Sequence, residues 1–121
     1  MADSGNPQGP GRLTVVSTSI DGIQVLTVVG DIDHDTAGPL RQALDPSRLG
    51  SVPHAVVDLS RVPFMDSTGI NILITARQAL TQTGGWLRLA GVQDTVMRTL
   101  RLVQLDTVID CYPTLRQALH P

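Results

Sequence analysis

The hydrophobic pattern of the chain alternates between short apolar runs and longer segments with helical spacing. Residues 13–20 and 23–29 are rich in Val, Ile and Thr, and Asp21-Gly22 between them favours a two-residue turn. We therefore predict an N-terminal β-hairpin whose second strand is nearly continuous in apolar residues and lies deeper than the first. Further apolar runs predict strands over residues 55–59, 86–90 and 107–109.

Segments between these strands carry apolar residues three or four positions apart. This spacing predicts four helices. The first begins at about residue 35 or 36 and ends between residues 44 and 49, and the other three span about residues 67–82, 93–103 and 113–119. Strands that alternate with helices predict an α/β fold with one mixed, mostly parallel sheet of four to five strands and about four helices. We expect a single domain over residues 13–121. Residues 1–12, rich in Gly, Pro and small polar residues, are predicted to be a disordered, dispensable leader.

The helix predicted over residues 67–82 has more apolar surface than one core stripe needs. Beside its main stripe, Ile72, Ala76 and Ala79 extend the apolar character onto a neighbouring face. Two explanations remain open from the sequence. The helix is either largely buried between other elements, or it presents an apolar flank to a partner.

Charge and composition narrow the possible functions of the 121 residues. All nine basic residues are Arg, all eleven acidic residues are Asp, and the net charge is −2. This excludes mechanisms that need a catalytic Lys or Glu, and it argues against binding to nucleic acid. No signal peptide or membrane span is apparent, so we predict a cytoplasmic protein without a membrane partner. The single cysteine, Cys111, is predicted to be a core or near-core residue and not a nucleophile.

The most informative stretch reads DLSRVPFMDSTG from Asp58 to Gly69. It leaves a predicted buried strand, passes a turn and enters a helix at Asp66-Ser67. A hydroxyl at a helix start lies beside unpaired N–H groups and about half a positive charge of the helix dipole, which favours a phosphate group there. The simplest interpretation, however, is that Asp66 or Ser67 only caps the helix.

Acidic residues also follow the strand before this stretch. In parallel sheets, functional groups collect beyond the carboxyl ends of the strands. If the second and third strands are neighbours, we expect four carboxylates and a hydroxyl to share one rim of the sheet. These groups belong to Asp31, Asp33, Asp58, Asp66 and Ser67.

The stretch from Asp58 to Gly69 closely resembles the signature of the STAS domain family, the anti-sigma factor antagonists of bacteria. The preceding Gly30-Asp31-Ile32-Asp33 is similar to the family's Gly-Glu-Leu/Ile-Asp turn, with Asp31 in place of the usual glutamate. The resemblance implies a single STAS-like domain that is not an enzyme and needs no cofactor or metal. It also implies that the unphosphorylated protein binds an anti-sigma factor, which is an ATP-dependent serine kinase, and thereby releases a sigma factor. Phosphorylation reverses this binding, and a phosphatase resets it.

The same resemblance assigns roles to individual residues. By matching position, Ser67 is the phosphoacceptor, although the sequence leaves open whether Thr68 is modified instead. The implied partner-binding residues are Asp31, Asp33, Asp58, Asp66, Thr68 and Gly69. A second possibility within the family is a scaffold or transport-associated module, in which this segment is an interface without regulated phosphorylation.

Two functions outside the family use the same residues. Clustered aspartates around Asp58 could hold magnesium for phosphotransfer of the receiver type, but such receivers carry a lysine that this chain lacks. Ser67 could be a nucleophile with His34 as its base, but the Gly-x-Ser-x-Gly elbow is absent and His34 is expected to be a solvent-facing turn residue. Both are less favoured than the protein-binding switch.

Overall fold

The structure is organised around a five-stranded sheet. It is a computed structural model that describes residues 12–49 and 54–121, without the side chains of Pro46 and Leu49. The predicted leader lies outside these ranges except for Arg12. The strands are β1 (Thr14–Ile20), β2 (Ile23–Val29), β3 (His54–Arg61), β4 (Trp86–Ala90) and β5 (Asp110–Tyr112). The helices are α1 (Gly38–Ala43), the single turn α2 (Pro46–Leu49), α3 (Ser67–Gln82), α4 (Asp94–Leu102) and α5 (Leu115–Leu119), and a 3-10 turn spans Leu105–Thr107.

The strands lie in the sheet in the same order as in the chain. β1 and β2 are antiparallel, and β2 to β5 are parallel neighbours. Asp21 and Gly22 both have positive φ angles, 52° and 80°, which a type I′ turn requires. The predicted hairpin and the mixed, mostly parallel sheet of a single α/β domain are thus confirmed.

Aliphatic side chains fill the main core between one face of the sheet and helices α1, α3 and α4. This core is continuous across the three helices, and its fully buried members include Leu26, Leu40, Leu59, Leu73, Leu89 and Leu100. A smaller cluster covers the other face beneath α5 and contains Ile23, Val25, Val56, Ala90 and Ala118. The central strands are therefore buried on both faces, which explains why their sequences are apolar runs rather than alternating patterns.

The extra apolar surface of α3 is mostly part of the core. Ile72 and Ala76 are buried, and Ala79 is half-buried. Of the two explanations for this flank, burial between other elements is thus the correct one for Ile72 and Ala76.

Several predicted boundaries differ from the structure. The strand predicted over residues 107–109 is wrong, because a 3-10 turn ends at Thr107 and β5 begins only at Asp110. Gln104 has a left-handed φ of 60°, so the chain turns sharply after α4, and the apolar Ile109 packs in the core before pairing with β4 begins. Pro113 lies outside α5, since Thr114 is the N-cap and its hydroxyl accepts a hydrogen bond from the Gln117 N–H at 3.2 Å.

Helix α1 begins later than predicted, at Gly38. The carboxylate of Asp33 accepts hydrogen bonds from the N–H groups of Asp35 and Thr36, at 2.9 and 3.0 Å. These bonds hold residues 33–36 in a turn, and a local side-chain bond of this kind competes with helix formation. As predicted, Pro39 lies in the first turn of the helix.

Candidate functional site

Two loops that follow β2 and β3 run side by side beyond the ends of the strands. The Ile32 N–H donates to the Phe64 carbonyl at 3.0 Å, and the Asp66 N–H donates to the Ile32 carbonyl at 3.1 Å. These bonds form an isolated parallel bridge between Ile32 and Met65. We call residues 30–36 and 62–66 the bridged loops. Because the bridge continues the parallel pairing of β2 with β3, it fixes the first loop relative to the start of α3.

Gly69 allows the first turn of α3 to lie against this bridge. A Cβ atom at this position would be 2.5 Å from Cγ of Met65 and 2.9 Å from Cγ2 of Ile32. Both distances are shorter than van der Waals contact allows in a close-packed interior. Gly69 is buried, and its role in the structure is therefore to bring the helix start onto the bridged loops.

Ser67 is the first residue of α3, and its side chain is exposed. The helix cap is supplied by the preceding residue: Asp66 is extended, and its Oδ1 accepts a hydrogen bond from the Thr68 N–H at 2.8 Å. Within residues 12–49 and 54–121 the Ser67 hydroxyl makes no hydrogen bond, and Thr68 beside it is half-buried. The hydroxyl is thus free to meet an external group, while the capping function stays with Asp66.

Three of the four expected carboxylates lie on the bridged loops. Asp33 uses its carboxylate to hold the turn before α1, and Asp66 uses its own to cap α3. Asp31 is half-buried, and its backbone carbonyl accepts a hydrogen bond from Oγ1 of Thr36 at 2.7 Å. The bridged loops therefore carry the carboxylates of Asp31, Asp33, Asp35 and Asp66, next to Arg61 at the end of β3, on a backbone held by hydrogen bonds.

The structure does not bring Asp58 to this rim. β3 continues to Arg61, so Asp58 lies inside the strand and not at its end. It pairs with Thr27 and Ala90, which places it on the sheet face that carries α5, whereas α3 covers the opposite face. Its carboxylate accepts a hydrogen bond from the Ser60 N–H at 3.0 Å.

Phe64 belongs to the surface around Ser67, but it was not identified from the sequence as a site residue. The side chain of this one phenylalanine is 49% exposed, and its carbonyl is the acceptor for the Ile32 N–H. The sequence did contain a signal for this residue: Phe64 is an aromatic residue in a predicted turn, and the strand and helix on either side of that turn supply enough apolar residues for the core. An exposed aromatic on a fixed backbone is typical of a contact residue in a protein interface.

A cleft of about 390 Å³ opens beside Thr68, between α1 and the first half of α3. Hydrogen bonds from the Ser47 hydroxyl and N–H lower the pKa of Asp45 in its wall. The lining residues are His34, Arg41, Leu44, Asp45, Thr68, Asn71, Ile72 and Thr75. The cleft is lined mostly by polar side chains, with Leu44 and Ile72 as its apolar residues, and Thr68 joins it to the surface around Ser67.

The geometry gives little support to the two alternative chemistries. His34 is exposed, as expected, and forms no hydrogen bond with Ser67 in the part of the chain that the structure describes. The same residues contain no group of three or more His, Cys or Asp side chains placed to hold a metal ion. None of the described helices is both long enough and apolar enough to span a membrane.

Comparison with known families decides the assignment of the domain. The model of the STAS domain matches residues 14–118, which is nearly all of the chain that the structure describes. The chain belongs to the STAS domain family. This confirms the resemblance drawn from the stretch between Asp58 and Gly69.

Proteins similar to this chain are named as antagonists of anti-sigma factors. The anti-sigma-B factor antagonist of Staphylococcus aureus is 30% identical over 98 residues, which are 81% of this chain and 91% of that protein. The anti-sigma-F factor antagonist RsfB of Mycobacterium tuberculosis is 31% identical over 110 residues, 91% of this chain and 89% of that protein. A crystal structure of an anti-sigma factor antagonist from Mycobacterium paratuberculosis matches with a TM-score of 0.82 and 34% identity, over 92% of this chain and 94% of that one.

Proposed function

We propose that this STAS domain is an anti-sigma factor antagonist and that phosphorylation of Ser67 ends its binding to the anti-sigma factor. The observation that carries the proposal is the exposed Ser67 hydroxyl, which makes no hydrogen bond to the described residues, at the start of a capped helix beside the bridged loops. The similarity to named antagonists from two bacterial genera supports it.

The proposed docking surface consists of Ser67, Phe64 and the carboxylates around them. Phe64 provides the apolar contact, and Asp31, Asp33 and Asp66 on the bridged loops contribute negative charge. Thr68 contributes through the adjoining cleft, and Gly69 acts through the backbone by positioning the helix. A complementary partner therefore presents an apolar pocket bordered by basic side chains. Asp58, on the other face of the sheet, is not part of this surface.

Phosphorylation acts mainly on what the surface attracts or repels. A phosphoserine carries about −1.5 to −2 charges at neutral pH. The positive end of the α3 dipole stabilises this charge, whereas Asp31, Asp33 and Asp66 repel it. Because the two effects oppose each other, we expect the conformation of the domain to change little. A partner pocket matched to a neutral hydroxyl would have to desolvate the phosphate, and the complex is lost through that cost.

The proposed cycle involves three partners. The unphosphorylated domain binds the anti-sigma factor and so releases a sigma factor. The anti-sigma factor, acting as a serine kinase with ATP, transfers the γ-phosphoryl group to the Ser67 hydroxyl, and a phosphatase removes it by hydrolysis. In this cycle the domain is a substrate and a ligand, not an enzyme. It needs no cofactor and acts in the cytoplasm, where sigma factors work.

The direct test is intact-mass spectrometry after incubation with purified candidate anti-sigma factor kinases and ATP. Wild type should gain one phosphoryl group, Ser67→Ala should gain none, and Thr68→Ala, the matched control, should still be modified. Ser67→Ala should also retain binding to the unmodified partner. If Ser67→Ala lost binding while wild type stayed unmodified, the segment would be an interface without regulated phosphorylation, as in a scaffold module.

A further inference from the structure

Among the residues that the structure describes, the outer edge of β1, at one side of the sheet, is not paired with another strand. Its sequence, TVVSTSI, contains neither charge nor proline, and its register with β2 runs without a bulge from Thr14–Val29 to Ile20–Ile23. Proteins usually protect such edges with Lys, Pro, a bulge or a short strand, and this strand has seven residues and none of these features.

The hairpin geometry determines which backbone groups face outward. Opposite residues in an antiparallel pair alternate between those that exchange both hydrogen bonds and those that exchange none. The type I′ turn at Asp21-Gly22 closes on the hydrogen-bonded pair Ile20–Ile23. The bonding positions of β1 toward β2 are therefore the even-numbered ones. The N–H and C=O groups of Val15, Ser17 and Ser19 point away from the sheet.

We propose that this edge is an interface and that its partner is a second copy of this chain, paired antiparallel along β1 about a twofold axis at Ser17. In this register Ser17 faces Ser17 of the partner subunit, and Val15 and Ser19 face each other in the two symmetric pairs. These are the three positions with outward backbone groups, so each pair exchanges two hydrogen bonds. The arrangement is self-complementary and closed, as a twofold dimer requires.

Side chains on both faces of the strand fit this pairing. On the face opposite α1, Val16 is 59% exposed and Ile20 is 37% exposed. The register places Val16 against Thr18 of the partner subunit and Ile20 against Thr14 of the partner subunit, which are favourable β-branched pairs. On the other face, an open groove of about 490 Å³ beside β1 is lined in part by Val15, Ser17 and Arg48, and the Ser17 hydroxyl accepts a hydrogen bond from the Gln24 side chain of its own chain, which leaves the Ser17 backbone groups for the partner strand.

Charge at the two ends of the strand is also complementary. Arg12 precedes β1, and Asp21 follows it in the turn, where its Oδ2 also lies 4.0 Å from Nε2 of His120 in the same chain. Antiparallel pairing brings the start of one strand to the end of the other, so each end of the seam combines a basic and an acidic residue. The pairing uses neither Ser67 nor the bridged loops, and it is therefore independent of the proposed function.

The experiment measures the mass of the full chain by light scattering over a concentration series. Wild type should approach twice its 12.9 kDa, and Ser17→Asp should remain at 12.9 kDa because two carboxylates then face each other on the axis. Ser17→Arg should be monomeric for the same reason, and an equimolar mixture of the two variants should restore the doubled mass. The control Gln104→Asp makes the same charge change at an exposed position beyond α4, beside the opposite edge, and should dimerise like wild type.

Hydrogen exchange provides a second readout that does not depend on the variants alone. The amides of Val15, Ser17 and Ser19 should be protected in the wild-type dimer, and those of Val15 and Ser19 should exchange rapidly in Ser17→Asp. A wild type that stays monomeric at every concentration overturns the proposal. So does a dimer that Ser17→Asp leaves intact, or a mixture of the Asp and Arg variants that stays monomeric. Protection of the Val15, Ser17 and Ser19 amides in a wild-type monomer would show that the chain itself covers the edge, which also overturns the proposal.

Discussion

Burial makes Cys111 an unusually weak acid. Its thiol is half-buried in β5, and burial, followed by the charges of Asp106 and Asp110, raises its pKa from 9.0 to about 11. Only the thiolate reacts with alkylating reagents. We therefore predict that iodoacetamide labels the native protein very slowly at pH 8, and that the rate rises about tenfold per pH unit up to about pH 11. Rapid labelling at pH 8, measured by intact mass, would contradict the burial argument.

The same shift predicts how stability depends on pH. The folded-state pKa of Cys111 is raised, so the protonated thiol is favoured in the folded protein. This contribution is complete below about pH 9, and it is lost as pH rises toward about 11, because the unfolded chain ionises first. The free energy of unfolding of wild type should thus fall more steeply between pH 9 and 11 than that of Cys111→Ala. Parallel curves in urea titrations would exclude this linkage.

Phe64 offers a test of the docking surface at a single side chain. Truncation of an interfacial aromatic residue often costs about 2 kcal/mol or more, which corresponds to a roughly thirtyfold weaker affinity. Phe64→Ala should weaken binding of the anti-sigma factor by about this factor, measured by calorimetry with the unphosphorylated protein. The matched control is Leu102→Ala, an apolar side chain that is 80% exposed at the end of α4. Equal losses in both variants would argue against Phe64 as the apolar contact.

At the scale of elements, the first turn of α3 depends on Gly69. An added Cβ would lie 2.5 Å from Cγ of Met65, and overpacking of this kind costs about 1–3 kcal/mol. Gly69→Ala should therefore lower the free energy of unfolding by about that amount, although alanine favours helices. The matched control is Gly38→Ala in α1, where the new Cβ would meet no atom within 4 Å and should be neutral or slightly stabilising. Denaturant titration of both variants separates packing from helix propensity.

The sequence was most informative where one local pattern determined an element. The bounds predicted for α3 and β4 match the structure, because each has a strong period and ends at a clear signal, the Asp66 cap or the glycines at 84–85. The strand at 107–109 was wrong, since Val108 and Ile109 have strand propensity but the left-handed Gln104 and core packing of Ile109 delay the pairing. Tertiary contacts determine where this strand begins, and a short apolar run in the sequence does not indicate those contacts.

In the candidate site, too, features set by local sequence were predicted correctly, and features set by tertiary structure were not. The motif located Ser67 at the start of a helix, and a local cap explains why that prediction succeeded. The position of Asp58 depends on how far β3 extends and on which face its side chain takes. β3 continues to Arg61, so Asp58 does not end the strand, and alternation with the core residues Val57 and Leu59 places its carboxylate on the other face. Phe64 was missed because its exposure depends on the bridge to Ile32, which joins residues distant in sequence.

For the whole molecule, the proposed switch changes surface charge and leaves the fold unchanged. The chain already carries a net charge of −2, and the phosphate would be added beside three carboxylates on loops that backbone hydrogen bonds hold in place. We therefore predict that phosphorylation perturbs backbone NMR shifts only around residues 30–36 and 61–72. Large shifts in β5, the edge strand that β4 separates from β3, would show that the domain rearranges and would contradict the electrostatic mechanism.

An electrostatic mechanism also predicts how binding responds to charge and salt. Ser67→Asp and Ser67→Asn introduce side chains of nearly equal size, and only the first is charged. Ser67→Asp should bind the anti-sigma factor at least tenfold more weakly than Ser67→Asn, because the added carboxylate increases the negative charge next to the bridged loops and must be desolvated in the complex. Calorimetry at low and high salt should show this difference shrinking as the Debye length falls from about 30 Å at 0.01 M to about 8 Å at 0.15 M. If both variants bound equally weakly at every salt concentration, side-chain size at position 67, and not charge, would control the complex.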